Sequence, residues 1–127
     1  MAKVVLDASA LLAFVTGEPG GEIVADAIGD AVISTVNFAE AVTKLVDRGA
    51  SLDGARDVLG IAEYGIVEFD RGQAEATGAL IAKTRKRGLS LGDRACLALA
   101  QRERIPALTA DHGWADLDVG VDVRLFR

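Results

Sequence analysis

The chain has one cysteine, Cys96, among its 127 residues, so no intrachain disulfide can staple it and no cysteine-based zinc site can form. It has one histidine, His112, which by count rules out a nuclease that works with a pair of histidines as general acid and base. Aromatic residues make up 5% of the chain and are not interleaved with basic ones, which leaves no base-stacking platform for nucleic acid. No apolar run approaches the ~18 to 20 residues of a membrane span. The start reaches a carboxylate at Asp7, too early for the apolar region of a signal peptide, so a soluble cytoplasmic chain with no membrane partner is expected. Cations are outnumbered, 14 against 19 acids, and the net charge of -5 argues against a dedicated non-specific nucleic-acid binder. It leaves open a nuclease whose acids carry cations. Gly-rich phosphate loops with a lysine, repeats and linkers are also absent.

What is present suits one domain over residues 1–127, long enough to bury roughly two-thirds of its unfolded surface. Val4-Val5-Leu6 is a short apolar run fit for a buried strand, ended by Asp7 and followed by the helical run Leu11 to Val15. Ile23, Val24, Ala27 and Ile28 recur at helical spacing, and Ala31-Val32-Ile33-Ser34 reads as a second strand. A helix with the apolar stripe Phe38, Ala41, Val42, Leu45 and Val46 follows, then another through Leu52, Ala55, Leu59 and Ala62. Ile66 to Phe69 predicts a strand, Arg71 to Arg87 one helix stopped by Gly88, and Gly92 to Arg104 a helix apolar nearly all round. Pro106 to Asp111 reads as a strand ending in a carboxylate, and the alternating tail Val121 to Phe126 suits an edge strand. Short strands alternating with helices predict a single α/β domain with a parallel sheet.

Four carboxylates fall at element ends. Asp7 and Asp111 close strands, Asp93 opens the most apolar helix, and Glu40 lies in the first turns of the helix after the second strand. In a parallel sheet these points share one edge, where ligands bind in open α/β sheets. Each acid also has a purely structural reading: Asp7 and Asp111 as helix caps, Ser90-x-x-Asp93 and Asn37-x-x-Glu40 as capping boxes, Glu40 as a partner for Lys44. A cluster of three or four carboxylates cannot stay ionised without a compensating cation. Oxygen-only ligands select Mg²⁺ or Mn²⁺, and such a site suits phosphodiester hydrolysis by a metal-activated water. On a helical wheel Glu40 lies opposite the apolar stripe, so it is expected to reach the site only by being near the helix end.

Four stretches resemble the PIN-domain family, and within it the VapC-like toxins of bacterial toxin–antitoxin pairs. They are Val5 to Leu12, Asn37 to Glu40, Leu89 to Ala98, and Leu108 to Trp114. Order, spacing and length agree over essentially the whole chain. The resemblance implies a central parallel sheet of four to five short strands sandwiched by helices. It further implies a Mg²⁺- or Mn²⁺-dependent endoribonuclease, with metal held by Asp7, Glu40, Asp93 and Asp111, and a homodimer inhibited by a cognate antitoxin. Ser9 and Thr109 match small hydroxyl positions near the metal. Asp116 is a candidate to assist or replace Asp111.

Arg94, directly after Asp93, is a candidate for touching phosphate or for pairing with an acid. The basic run Lys83 to Arg87 can hold an RNA backbone, or can simply sit solvated at a helix C-terminus. Trp114, His112 and Cys96 read as packing or local hydrogen bonding. Two other functions fit an α/β chain of this kind: a catalytically silent binding module on the same fold, and a receiver-like Mg²⁺-binding signalling domain. The second expects paired acids at the first strand and a lysine after the last, where this chain has Asp7 alone and Arg124.

Overall fold

The computed structural model describes residues 1 to 127. Five strands, β1 (Val4–Leu6), β2 (Ala31–Ser34), β3 (Gly65–Val67), β4 (Ala107–Thr109) and β5 (Val123–Leu125), form one sheet in the order β3-β2-β1-β4-β5. Every pairing is parallel, with Val5 opposite Val32 on one side and Ala107 on the other. The alternating tail is an edge strand, as its pattern predicts.

Helices α1 (Ala8–Thr16), α2 (Gly21–Ala27), α3 (Thr35–Asp47) and α4 (Leu52–Leu59) carry the chain from β1 outward to β3. Helices α5 (Arg71–Ala79), α6 (Ile81–Thr84) and α7 (Leu91–Glu103) carry it back across to β4. Right-handed crossovers that travel in opposite directions put their helices on opposite faces, and the two cores follow. Val4, Leu6, Ile33 and Leu108 pack with Leu11, Ala41, Leu45, Ala55 and Leu59 on one face. Val5 and Ala107 pack with Leu80, Trp114 and the run Cys96 to Ala100 on the other. β1 thus feeds both cores by period-two alternation, which is why it reads as a continuous apolar run.

Side chains of Asp7, Ser34, Ser51, Asp70 and Ser90 accept from backbone N–H groups at the starts of α1, α3, α4, α5 and α7. These caps satisfy donors that the first turn leaves orphaned. The helix predicted as unbroken from Arg71 to Arg87 tightens at Leu80 and ends as a 3-10 turn over Arg85–Arg87. Gly72 and Gly78 weaken that stretch, and the Thr84 hydroxyl bonds back to the Leu80 carbonyl, 2.9 Å away. Gly88 closes it with φ of 64°, a left-handed position suited to glycine. α4 stops at Leu59 rather than reaching Ala62, and Val46 stands exposed instead of in the α3 stripe, of which Ala41 and Leu45 are buried, with Asn37 buried beside them. No helix is long and apolar enough to cross a membrane.

Candidate active site

The strand order reverses between β1 and β4, so their carboxyl ends flank the switch point where open α/β sheets bind ligands. Asp7 follows β1, Asp111 follows β4 by two residues, and α3 and α7 bring Glu40 and Asp93 to the same edge. Together they line one cavity of about 290 Å³ with Ala8, Ser9, Lys44 and Ala110. All four predicted acids therefore meet.

Asp7 is 8% exposed and sits in a dense set of donors. Its Oδ1 accepts from the Ser9 hydroxyl at 2.6 Å and from Ala10 N–H at 2.9 Å. Its Oδ2 accepts from the Thr109 hydroxyl at 2.5 Å. Each hydroxyl is also an acceptor toward the loop after β4: Ser9 Oγ takes the Ala110 N–H and Thr109 Oγ1 takes the Asp111 N–H. Ser9 and Thr109 therefore fix the Asp7 carboxylate relative to the Asp111 backbone. Asp111 in turn accepts from Gly113 N–H at 2.9 Å and caps the short turn His112–Trp114.

The opposite wall is built differently. Asp93 Oδ2 accepts from the Ser90 N–H while Ser90 Oγ accepts from the Asp93 N–H, a complete capping box at the start of α7. The carboxylate of Glu40 lies directly on Gly92, so closely that a Cβ there would collide with both its oxygens and its Cδ. Asn37, 1% exposed, donates from Nδ2 to Glu40 Oε1 at 2.8 Å and to the Gly92 carbonyl at 2.9 Å. Glu40 reaches the cavity through this bracket of Asn37 and Gly92, one turn along α3, rather than through the helix end. The capping role belongs to Ser34, not Asn37.

Capping and site formation are not alternatives here: Asp7, Asp93 and Asp111 each do both.

Burial and mutual repulsion act on two of the four acids. Burial pushes the Asp7 carboxyl above its ordinary range against the pull of its three donors, with Asp93 adding repulsion. Glu40 is raised by burial and by repulsion from Asp93 and Asp7, while Asn37 and Lys44 pull it down. The donor set is oxygen only, which suits a hard divalent cation. No three His, Cys, Asp or Glu side chains are drawn in tightly enough to clasp an ion directly.

Two sequence candidates stand elsewhere. Asp116 does not line the cavity; Arg87 grips both its oxygens, at 2.6 and 2.8 Å, and holds its carboxyl below the ordinary range. Arg94 turns away from Asp93 and donates to the Thr77 carbonyl at 3.0 Å, tying α7 to α5. Trp114 is buried in the second core, Cys96 is fully buried, and His112 Nε2 lies 2.7 Å from the Arg127 carbonyl oxygen. The sequence reading gave Asn37, Gly92 and Lys44 no site role. A polar residue on the buried side of α3, and a glycine where helix propensity disfavours one, were the available signals.

A family model described as PIN domain matches residues 4–120. No curated protein matches the chain. Among solved structures, DNA-bound VapBC from Salmonella typhimurium is similar at 16% identity over 100% of both chains, with a TM-score of 0.80. A toxin–antitoxin complex from Klebsiella pneumoniae is similar at 20% identity over 98% of both chains, TM-score 0.75. VapC20 of Mycobacterium tuberculosis, described as a sarcin-ricin loop cleaving toxin, matches at 15% identity over 91% of this chain and 96% of its own, TM-score 0.70. The family match covers nearly the whole length and includes the four acids of the cavity: the chain belongs to the PIN domain family.

Proposed function

We propose that the protein is a Mg²⁺- or Mn²⁺-dependent endoribonuclease, acting as the toxin of a toxin–antitoxin pair, with Asp7, Glu40, Asp93 and Asp111 holding the ion. The observation that carries this reading is the convergence of four carboxylates on one cavity at the switch point of the sheet. Bound there, the ion supplies positive charge that offsets the acids and the scissile phosphate, and it activates a water for in-line attack.

The chain's own residues have distinct parts. Asp7 and Asp111 form one wall, locked together through Ser9 and Thr109. Glu40 and Asp93 form the other, where Asn37 and the ammonium of Lys44 favour the charged form of Glu40 against burial and the repulsion of Asp93 and Asp7. Lys44 at the rim is also the one cation lining the cavity, placed to meet a phosphate oxygen. RNA is the favoured polymer because a structural neighbour is described as cleaving the sarcin-ricin loop. The neighbours described as toxin–antitoxin complexes favour a cognate antitoxin as partner; a homodimer is proposed only on the family resemblance of the sequence.

The test is incubation of antitoxin-free protein with end-labelled transfer and ribosomal RNA fragments in Mg²⁺, Mn²⁺ or EDTA, beside Asp7→Asn. Cleavage that requires metal and vanishes in the variant is the expected result. Cleavage that survives EDTA or the substitution would refute it, and a folded protein that neither binds metal nor cuts would favour a silent binding module.

A further inference from the structure

Between Glu75 and Asp93 the chain has no acid, and it concentrates four cations there, Lys83, Arg85, Lys86 and Arg87, in a molecule whose net charge is -5. All four are exposed. As a helix C-terminus the run would need no explanation beyond the helix dipole. Its placement adds more.

Arg87 is committed: it clamps Asp116 through two hydrogen bonds and reaches the Gly113 carbonyl at 3.5 Å. Gly113 itself donates to Asp111. The clamp therefore pins the end of the basic run against the loop that carries one site acid. On the chain side, Gly88 and Leu89 lead directly into Ser90, whose capping box orients Asp93. The run is thus anchored between Asp93 and Asp111, by covalent connection to one and by an ion pair to the loop of the other. Lys83, Arg85 and Lys86 enter no ion pair and no side-chain hydrogen bond, unlike Lys3, Arg56 and Arg124, which each face a carboxylate.

A cavity lined by four carboxylates repels a polyanion, so a nuclease of this charge must draw the strand in with cations beside the cavity. We propose that Lys83, Arg85 and Lys86 form a phosphate-binding track for the RNA strand next to the active site, with the Arg87–Asp116 clamp holding the track in register with Asp111. This rests on the endoribonuclease reading above. Arg87 is then a positioning residue, while its three neighbours contact the backbone. The recognition is of phosphates, hence indifferent to base sequence.

The probe is a labelled single-stranded RNA oligonucleotide of mixed sequence, titrated in EDTA by fluorescence anisotropy at several KCl concentrations. Wild type is compared with Lys83→Ala/Arg85→Ala/Lys86→Ala and with Lys3→Ala/Arg56→Ala/Arg124→Ala, which removes equal charge from other surfaces. Each phosphate contact to a single strand contributes about -0.7 to the slope of log K against log salt. The track variant is expected to bind about tenfold or more weakly at low salt, with a slope shallower by about 2, while the control variant stays close to wild type. Circular dichroism establishes that both variants are folded.

Equal losses in the two variants would overturn the track in favour of net charge alone. Wild-type affinity and slope in the track variant would overturn it while leaving metal-dependent cleavage intact. Weakened binding of the cognate antitoxin with unchanged RNA binding would overturn it in favour of a protein interface. Wild type that binds no RNA and cleaves none refutes the endoribonuclease reading itself.

Discussion

The two walls of the acid cavity solve the same problem by different means. On the strand wall, the Ser9 and Thr109 hydroxyls donate to Asp7 while accepting from the Ala110 and Asp111 N–H groups, the Thr109 bond reaching across 102 positions of sequence. On the helix wall, Glu40 is fixed by backbone proximity: Gly92 leaves the space, and Asn37 bridges the carboxylate to the α7 backbone. The strand wall depends on hydrogen bonds that polar substitutions can partly replace. The helix wall depends on the absence of a Cβ at Gly92, since a larger side chain there would push the Glu40 carboxylate from its place. Both walls raise the same electrostatic tension, since like charges are gathered with partial burial.

Substitutions break this pairing in graded ways. Asp7→Asn keeps the shape of the strand wall and removes its charge; cleavage in Mg²⁺ is expected to fall on the order of 10²- to 10³-fold, the scale of losing one preorganised electrostatic group, as single-turnover rates will show. Asn37→Ala leaves Glu40 unheld and removes the tie from α3 to the Gly92 carbonyl, which keeps its own helical bond in α7; the loss of such bonds costs about 0.5–1.5 kcal/mol of stability each. Urea unfolding should report that loss, with a fall in Mn²⁺ affinity alongside it. Gly92→Ala separates stability from activity. It improves helix propensity by about 1 kcal/mol but displaces the Glu40 carboxylate, so cleavage should drop while the melting temperature holds or rises. A variant that melted early and still cleaved normally would overturn the distinction between the walls.

Metal-free stability carries a pH signature of the same tension. The folded-state pKa of Asp7 lies above its unfolded value, so the fold favours the protonated acid. That contribution is full below the ordinary carboxylate range and is lost as pH rises through the raised value. The stability of wild type relative to Asp7→Asn should therefore decline across that window, measured by urea unfolding in EDTA. Smallest of all, Cys96 is fully buried with its thiol pushed well above its usual range by burial and by the nearby acids, so a thiol reagent should modify it only on unfolding.

Much of this was legible before the structure. The short apolar runs Val4 to Leu6 and Ala31 to Ser34, each followed by a helix pattern, define the parallel sheet, because a strand buried on both faces has no polar side to alternate. Asp7 and Asp111 were legible for the same reason, as they mark where such runs stop, while Asp93 and Glu40 were legible from their places in the first turns of helix patterns. The break at Leu80 was not, since Gly78 and the back-bonding Thr84 act within a pattern that is still helical in period. Asn37 and Gly92 were also hidden. Their roles come from a contact 55 residues apart between two helices, and local spacing carries no information about how closely α3 and α7 approach. Asp116 and Arg94 show the converse, since their nearness in sequence to site acids does not bring them to the cavity: the first is captured by Arg87 and the second by Thr77.

Under the proposed function, the two walls act on one divalent cation. Mn²⁺ titration of wild type, Asp7→Asn, Asp93→Asn and the double variant, read by isothermal calorimetry or by electron paramagnetic resonance, tests it as a thermodynamic cycle. If the walls share an ion, each single substitution removes most of the affinity and the double variant loses little more. Losses that simply add, or an Asp93→Asn variant that binds Mn²⁺ as wild type does, would contradict it.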